Sequence, residues 1–201
     1  MGYERIPIGA TAVGIKVKDG VVVGAEKRIS YGGFILSKSA KKVFKISDRM
    51  VIAAAGLFAD MQTISRILSA EIRYRELVSS TTMKVRSAAK LLSAILYSYK
   101  FFPFLSEILF AGIDEEGPHL YVLDPVGSVI EDKYAAVGTG ATIAIGIIES
   151  EYNESMSLDK ASEIVVKAIK AAASRDAVSG DGIDIAIVSN KGIEEKFFPL
   201  I

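Results

Sequence analysis

The spacing of apolar residues changes along the chain, and each change predicts a different element. Thr11 to Val17 is rich in β-branched residues and ends on Lys18-Asp19-Gly20, a hairpin turn signal, so it reads as a strand. Val21 to Ala25 is a short apolar run that suits a strand buried on both faces. Further strands are predicted over Gly33 to Leu36, Val43 to Ile46 and Met50 to Ala55, the last two separated by Ser47-Asp48-Arg49. The period then lengthens. Leu57, Met61, Ile64, Leu68, Ile72 and Leu77 recur at the spacing of one helix face, predicting an amphipathic helix from Leu57 through Val78. Ser80-Thr81-Thr82 offers caps for a second helix with Val85, Ala88, Leu92, Ile95 and Tyr99 inward, which Pro103 ends.

Strands return at Glu107 to Ile113, His119 to Leu123 and Ser128 to Val137, with turns at Asp114-Glu115-Glu116-Gly117 and Asp124-Pro125-Val126-Gly127. Thr139 to Glu151 reads as a helix with Ile143, Ile147 and Ile148 on one face. Ser157 to Arg175 reads as another, with Ser157 as N-cap. Two closing strands, Gly182 to Val188 and Ile193 to Phe198, flank Ser189-Asn190-Lys191-Gly192. Helices grouped in blocks between antiparallel hairpins predict a layered α+β domain, two sheets between two helix layers.

Composition narrows the function. A chain of 201 residues suits one domain, and half its residues are hydrophobic. Its 24 basic residues balance 24 acidic ones, which gives no footprint for nucleic acid and little self-repulsion among packed neighbours. There is no cysteine, so disulfides, thiolate metal sites and a cysteine nucleophile are excluded. The single histidine, His119, sits in Gly117-Pro118-His119, which reads as a hairpin turn and a poor setting for a catalytic triad. No metal or cofactor is expected. The longest apolar run, Met50 to Ala59, is about half of the roughly 20 residues a membrane span needs. With no apolar leader at the start, a cytoplasmic location is expected. The aromatic group Tyr97, Tyr99, Phe101, Phe102 and Phe104 reads as core or subunit interface.

Six strings then occur in order: Ala10-Thr11-Ala12-Val13-Gly14-Ile15, Gly24-Ala25-Glu26-Lys27-Arg28, Ser39 to Ile46, Ala55-Gly56-Leu57-Phe58-Ala59-Asp60, Gly138-Thr139-Gly140, and Ser174 to Gly180. Together they resemble the β-type subunits of the proteasome core particle, within the N-terminal nucleophile hydrolases, and of archaeal type. The resemblance covers the chain from Ala10 onward. It implies a four-layer αββα sandwich over residues 10–201, preceded by a propeptide or N-terminal extension at residues 1–9. It also implies ATP-dependent protein degradation in partnership with α subunits, other β subunits, unfolded polypeptide substrates and an ATPase cap.

In such enzymes a threonine becomes the first residue of the mature chain, and its hydroxyl attacks the peptide carbonyl. A hydroxyl needs a nearby base to take its proton, and a free α-amine titrates near neutrality. The resemblance implies Glu26 as the carboxylate and Lys42 as its lysine partner, with Lys41 second. The Gly56 N–H would be the oxyanion donor, a contribution worth about 3 kcal/mol. Thr139, Asp176, Ser179 and Gly180 would form the supporting cluster, and Ile29, Ala40, Phe44, Ala54 and Phe58 an apolar substrate pocket.

The departure is at the nucleophile. Counting back from Val13-Gly14, the family's first threonine falls on Ala10, with Gly9 before it. Alanine has no oxygen to acylate, so a noncatalytic subunit is expected. An engineered replacement of threonine by alanine in an active threonine peptidase fits the same residues. Thr11 is the alternative nucleophile, but a one-residue step along a strand turns the side chain to the opposite face.

Overall fold

The computed structural model describes residues 9–31 and 33–200. Residues 1–8, and with them most of the expected extension, lie outside that range. Among the described residues, twelve strands and four helices follow in the order β1 (Thr11–Val17), β2 (Gly20–Glu26), β3 (Ile29–Tyr31), β4 (Phe34–Ser37), β5 (Val43–Lys45), β6 (Met50–Gly56), α1 (Phe58–Ser79), α2 (Val85–Ser98), β7 (Ser106–Asp114), β8 (Gly117–Leu123), β9 (Val129–Glu131), β10 (Tyr134–Gly138), α3 (Ala141–Glu151), α4 (Leu158–Ala173), β11 (Gly182–Ser189) and β12 (Gly192–Pro199).

These strands build two five-stranded antiparallel sheets, ordered β10-β1-β2-β11-β12 and β5-β6-β7-β8-β9, with β3–β4 as a separate hairpin. Alternation along the strands separates three apolar layers. Ala12, Val21, Val23, Ala53, Ala55 and Ala111 meet between the sheets. Val13, Ile15 and Val22 turn the other way onto α3 and α4, against Ile164, Val165 and Ile169. Ile52, Ala54, Ile108 and Phe110 face α1 and α2, against Met61, Ile64, Leu68 and Leu92. The result is the expected αββα sandwich.

Local differences have physical causes. The strand expected over Ser128 to Val137 is split between the sheets. Asp132 N donates to the carbonyl of Leu120 in one sheet, and the carbonyl of Lys133 accepts from Lys16 N in the other. Ser80-Thr81-Thr82 does not cap α2, whose N-cap Lys84 makes no side-chain cap bond. The orphan N–H of Val85 is met by a distant carboxylate instead, donating to Asp114 at 2.8 Å, and Met83 N, just ahead of the cap, donates to Glu76 at 2.8 Å. Tyr99 lies just past α2 and is largely exposed, while Ala89 and Leu96 take inward positions. The helix ends at Ser98, ahead of Pro103.

At α4, Ser157 accepts from Lys160 N at 3.2 Å, the cap its sequence position predicts. Replacing Ser157 by Ala should cost about 1 kcal/mol of stability. Urea unfolding of the two chains should show a lower midpoint with an unchanged slope.

Candidate active site

The ends of β1, β2, β6 and β10 converge with the loop between α4 and β11, and there the sequence-selected residues meet. Ala10 immediately precedes β1 and is fully buried. Like Ala12, it lies in the layer between the sheets. Gly138 ends β10 at φ +92°, and a Cβ there would stand 2.1 Å from the Ala10 carbonyl oxygen and 2.7 Å from Ala55 Cβ. Only glycine fits. Gly56 closes β6 at φ +135°, where a Cβ would stand 2.1 Å from the Leu105 carbonyl oxygen. Gly138 lets the Ala10 backbone and Ala55 of the facing sheet come close, and Gly56 lets the Leu105–Ser106 backbone close against the end of β6.

Glu26 and Lys42 form an ion pair that is almost wholly removed from solvent, at 0% and 2% side-chain exposure. Lys42 Nζ bonds Glu26 Oε1 and donates to the Arg28 carbonyl at 2.5 Å. Glu26 Oε2 accepts from Arg28 N at 2.6 Å and Gly180 N at 3.0 Å. Burial pushes the Glu26 carboxyl above its ordinary value, against the opposing pull of Lys42 and the two N–H donors. The same burial pushes the Lys42 ammonium below its ordinary value, against the pull of Glu26. Both shifts press toward the neutral forms, against the mutual attraction of the pair. Lys41, by contrast, is exposed and pairs with Glu195 at 2.8 Å. The buried, paired lysine is Lys42.

A second network runs through hydroxyl groups. Ser179 Oγ donates to Asp176 Oδ2 at 2.6 Å, and Thr139 Oγ1 donates to the same oxygen at 2.5 Å. Each hydroxyl has one proton. Ser179 therefore accepts from Thr11 Oγ1, 2.9 Å away, and the Thr11 proton points at Ser179. The contact between Thr139 Oγ1 and the Ala10 carbonyl oxygen, at 3.3 Å, is the weaker claim on the Thr139 proton. Thr11 is fully buried, on the helix-facing side of β1 opposite Ala10 and Ala12. Arg28 holds the loop that carries Asp176, Ser179 and Gly180. It bonds Asp181 through Nε at 2.8 Å and the Ala177 carbonyl through Nη1 at 2.9 Å.

Of the apolar pocket residues, Ala54 is buried in the layer facing α1 and α2, with Phe44 and Phe58 packed against it. Ile29 lies half-buried in β3, and Ala40 is buried in the connection before β5. On the other side of β6 a groove of about 310 Å³ is lined by Ala55, Gly56, Leu105, Glu107, Gly138 and Thr139. A larger cavity of about 580 Å³, between the Lys45–Met50 segment and α1, touches none of these residues. Among the described residues no three His, Cys, Asp or Glu side chains converge as metal ligands. No helix among them is long and apolar enough to cross a membrane. His119 lies in β8 as expected, but Gly117 and Pro118 belong to that strand too, so the turn ends before them. The histidine is nearly buried, with Nδ1 2.9 Å from Glu131 and Nε2 3.4 Å from Asp114. Sequence reasoning missed Arg28 and Glu107. The Arg28 signal was its place two residues after Glu26; Glu107 had none beyond its exposed position in a strand.

The family described as "Proteasome subunit" matches residues 6–188 of the chain. The chain is similar to "Proteasome subunit beta 1" of Ignicoccus hospitalis, at 59% identity over 180 residues covering 90% of each chain. It is also similar to "Proteasome subunit beta 2" of Thermofilum pendens, at 54% identity over 190 residues, 94% of this chain and 93% of that one.

Two predictions follow from this geometry. Glu26→Ala leaves the Lys42 charge buried without its partner and should cost about 3–5 kcal/mol. The double change Glu26→Leu with Lys42→Met should cost less than that single one, as read by urea unfolding. At Asp181, the hydrogen bond and charge of Arg28 hold the carboxyl below its ordinary value. Its stabilising contribution is therefore present above the unfolded value, about pH 3.9, and is lost as pH falls through the lower folded value. Asp181→Asn should leave a shallower loss of melting temperature over that acid range.

Proposed function

The chain belongs to the proteasome subunit family as a β-type subunit of the 20S core particle, and on that premise we propose that it is noncatalytic. In that particle β subunits assemble with α subunits and with other β subunits. The observation that carries the reading is the methyl group at position 10 amid otherwise intact machinery.

The chemistry explains why one atom decides the matter. Acyl transfer at this position requires an oxygen that attacks the peptide carbonyl, a base that takes its proton, and a donor for the oxyanion. Lys42, tuned by burial and held by Glu26, supplies the base, and the Gly56 N–H supplies the donor. Two protons of Lys42 Nζ go to Glu26 and to the Arg28 carbonyl. The neutral amine has no third proton, and its lone pair is what would take the proton of a hydroxyl at position 10. The Asp176–Ser179–Thr139 network would orient a terminal amine at the same point. With alanine at position 10 no bond to the substrate carbonyl forms, so self-processing through that residue stops and residues 1–9 stay attached. Thr11 does not replace it, because its hydroxyl faces the helix layer and donates to Ser179.

The role is then structural. The chain completes a seven-membered β ring in a cytoplasmic particle that degrades unfolded polypeptides fed by an ATPase cap, while a β subunit that retains threonine does the cutting. The numbered names of the two relatives fit rings that draw on more than one β chain. A second reading, an engineered alanine in an otherwise active peptidase, is favoured by the undisturbed Glu26–Lys42 and Asp176–Ser179 contacts.

The test is the intact mass of the chain after assembly with α subunits. Full-length chain at 21.6 kDa is expected. A chain that begins at Thr11 would overturn the reading. Ala10→Thr tests whether position 10 alone is at fault. Loss of residues 1–9 together with a peptidase gain of about a thousandfold is expected under either reading, and an inert product counts against the engineered one.

A further inference from the structure

The groove of about 310 Å³ beside Ala10 lies across β6 from the apolar pocket. Ala54 points to the helix-facing layer that holds Phe44 and Phe58, whereas the next residue, Ala55, points between the sheets and lines the groove. A polypeptide whose carbonyl meets the Gly56 N–H would place its acyl side toward Phe44 and Phe58. The residues after that carbonyl would then run into the groove. Most of the groove wall is neutral. Its one charged side chain is Glu107, opposite Ala55 in the β6–β7 register and exposed to solvent. Glu107 Oε2 accepts from Gly138 N at 2.7 Å, which pins the carboxylate across the gap between the sheets. No cation among the described residues forms an ion pair with it, unlike the exposed Glu116, Glu154 and Glu195.

We propose that this groove is a peptide subsite beside Ala10, and that Glu107 selects there for an organic ammonium group. Two sources carry that chemistry, the free N-terminus of a peptide and a lysine side chain. The inference rests on the reading of Ala10 as the nucleophile position. In a chain without the nucleophile the subsite binds peptide and releases it uncut.

The test uses the full chain and three short amides: trialanine with a free N-terminus, its N-acetylated form, and N-acetyl-Lys-Ala-Ala. Binding is followed by NMR through the amide signals of Gly56 and Gly138. At least one ammonium-bearing peptide should bind about fivefold tighter than acetylated trialanine, the scale of an exposed ion pair. Which of the two binds tighter identifies the source. Glu107→Gln should bring the three to parity. Should that variant fold poorly, the preference in the unaltered chain should still fade between about 20 mM and 500 mM salt as charges are screened. Equal binding of all three, absence of binding, a preference that survives Glu107→Gln, or shifts confined to other residues would each overturn the proposal. Cleavage of the peptides would instead overturn the noncatalytic reading and leave the charge preference standing.

Discussion

The buried pairing of Glu26 with Lys42 is the contact on which the rest of the site depends. It gathers three segments far apart in sequence: the end of β2, the connection leading into β5, and the loop before β11 that offers Gly180 N. Neither charge tolerates burial alone, so each side chain is a condition for the other. Arg28 extends the same junction on two levels. Its backbone serves both members of the pair, and its guanidinium holds Asp181, a non-glycine residue at φ +70°. A left-handed conformation at such a residue persists only when its surroundings fix it. The pair therefore has a reason to persist in the folded chain that is independent of any reaction at position 10.

Position 10 itself is easy on the fold. A methyl group suits the layer between the sheets, where Ala12, Ala53, Ala55 and Ala111 pack against one another. Folding and chemistry thus place different demands on this residue: the core accepts a small apolar side chain, and only acyl transfer requires oxygen. A β subunit can lose the reaction here while keeping its shape.

Much of this was legible in the sequence. Lys18-Asp19-Gly20 located the first hairpin, the apolar stripe after Leu57 located α1, and Ser157 marked the start of α4. Alternation could not tell which sheet a strand joins, and so the passage at Asp132-Lys133 was hidden inside one apparent strand. Nor could local spacing reveal that the first N–H of α2 is met by Asp114, since that partner lies elsewhere in the chain. Glu26 stood out through family resemblance, because clustered charged residues normally face solvent, while Lys42 also lies between the apolar stretches Phe34-Ile35-Leu36 and Val43-Phe44. What separates Lys42 from Lys41 is a distant carboxylate, Glu26 for one and Glu195 for the other. The surroundings of His119 were hidden for the same reason: the carboxylates that enclose it, Asp114 and Glu131, come from neighbouring strands.

The strand order β10-β1-β2-β11-β12 also sets a timetable for synthesis. The chain makes β1 and β2 first, yet β10 flanks one side only after more than a hundred further residues, and β11 flanks the other near the end. Until then the hairpin offers the ribosome's surroundings two unpaired edges and an apolar face on each side, the features that promote wrong pairing between nascent chains. The other sheet, with its five strands between Val43 and Glu131, is complete just before β10 and well before β11. Its alanine-lined inner face is the earliest surface against which the waiting hairpin can shelter.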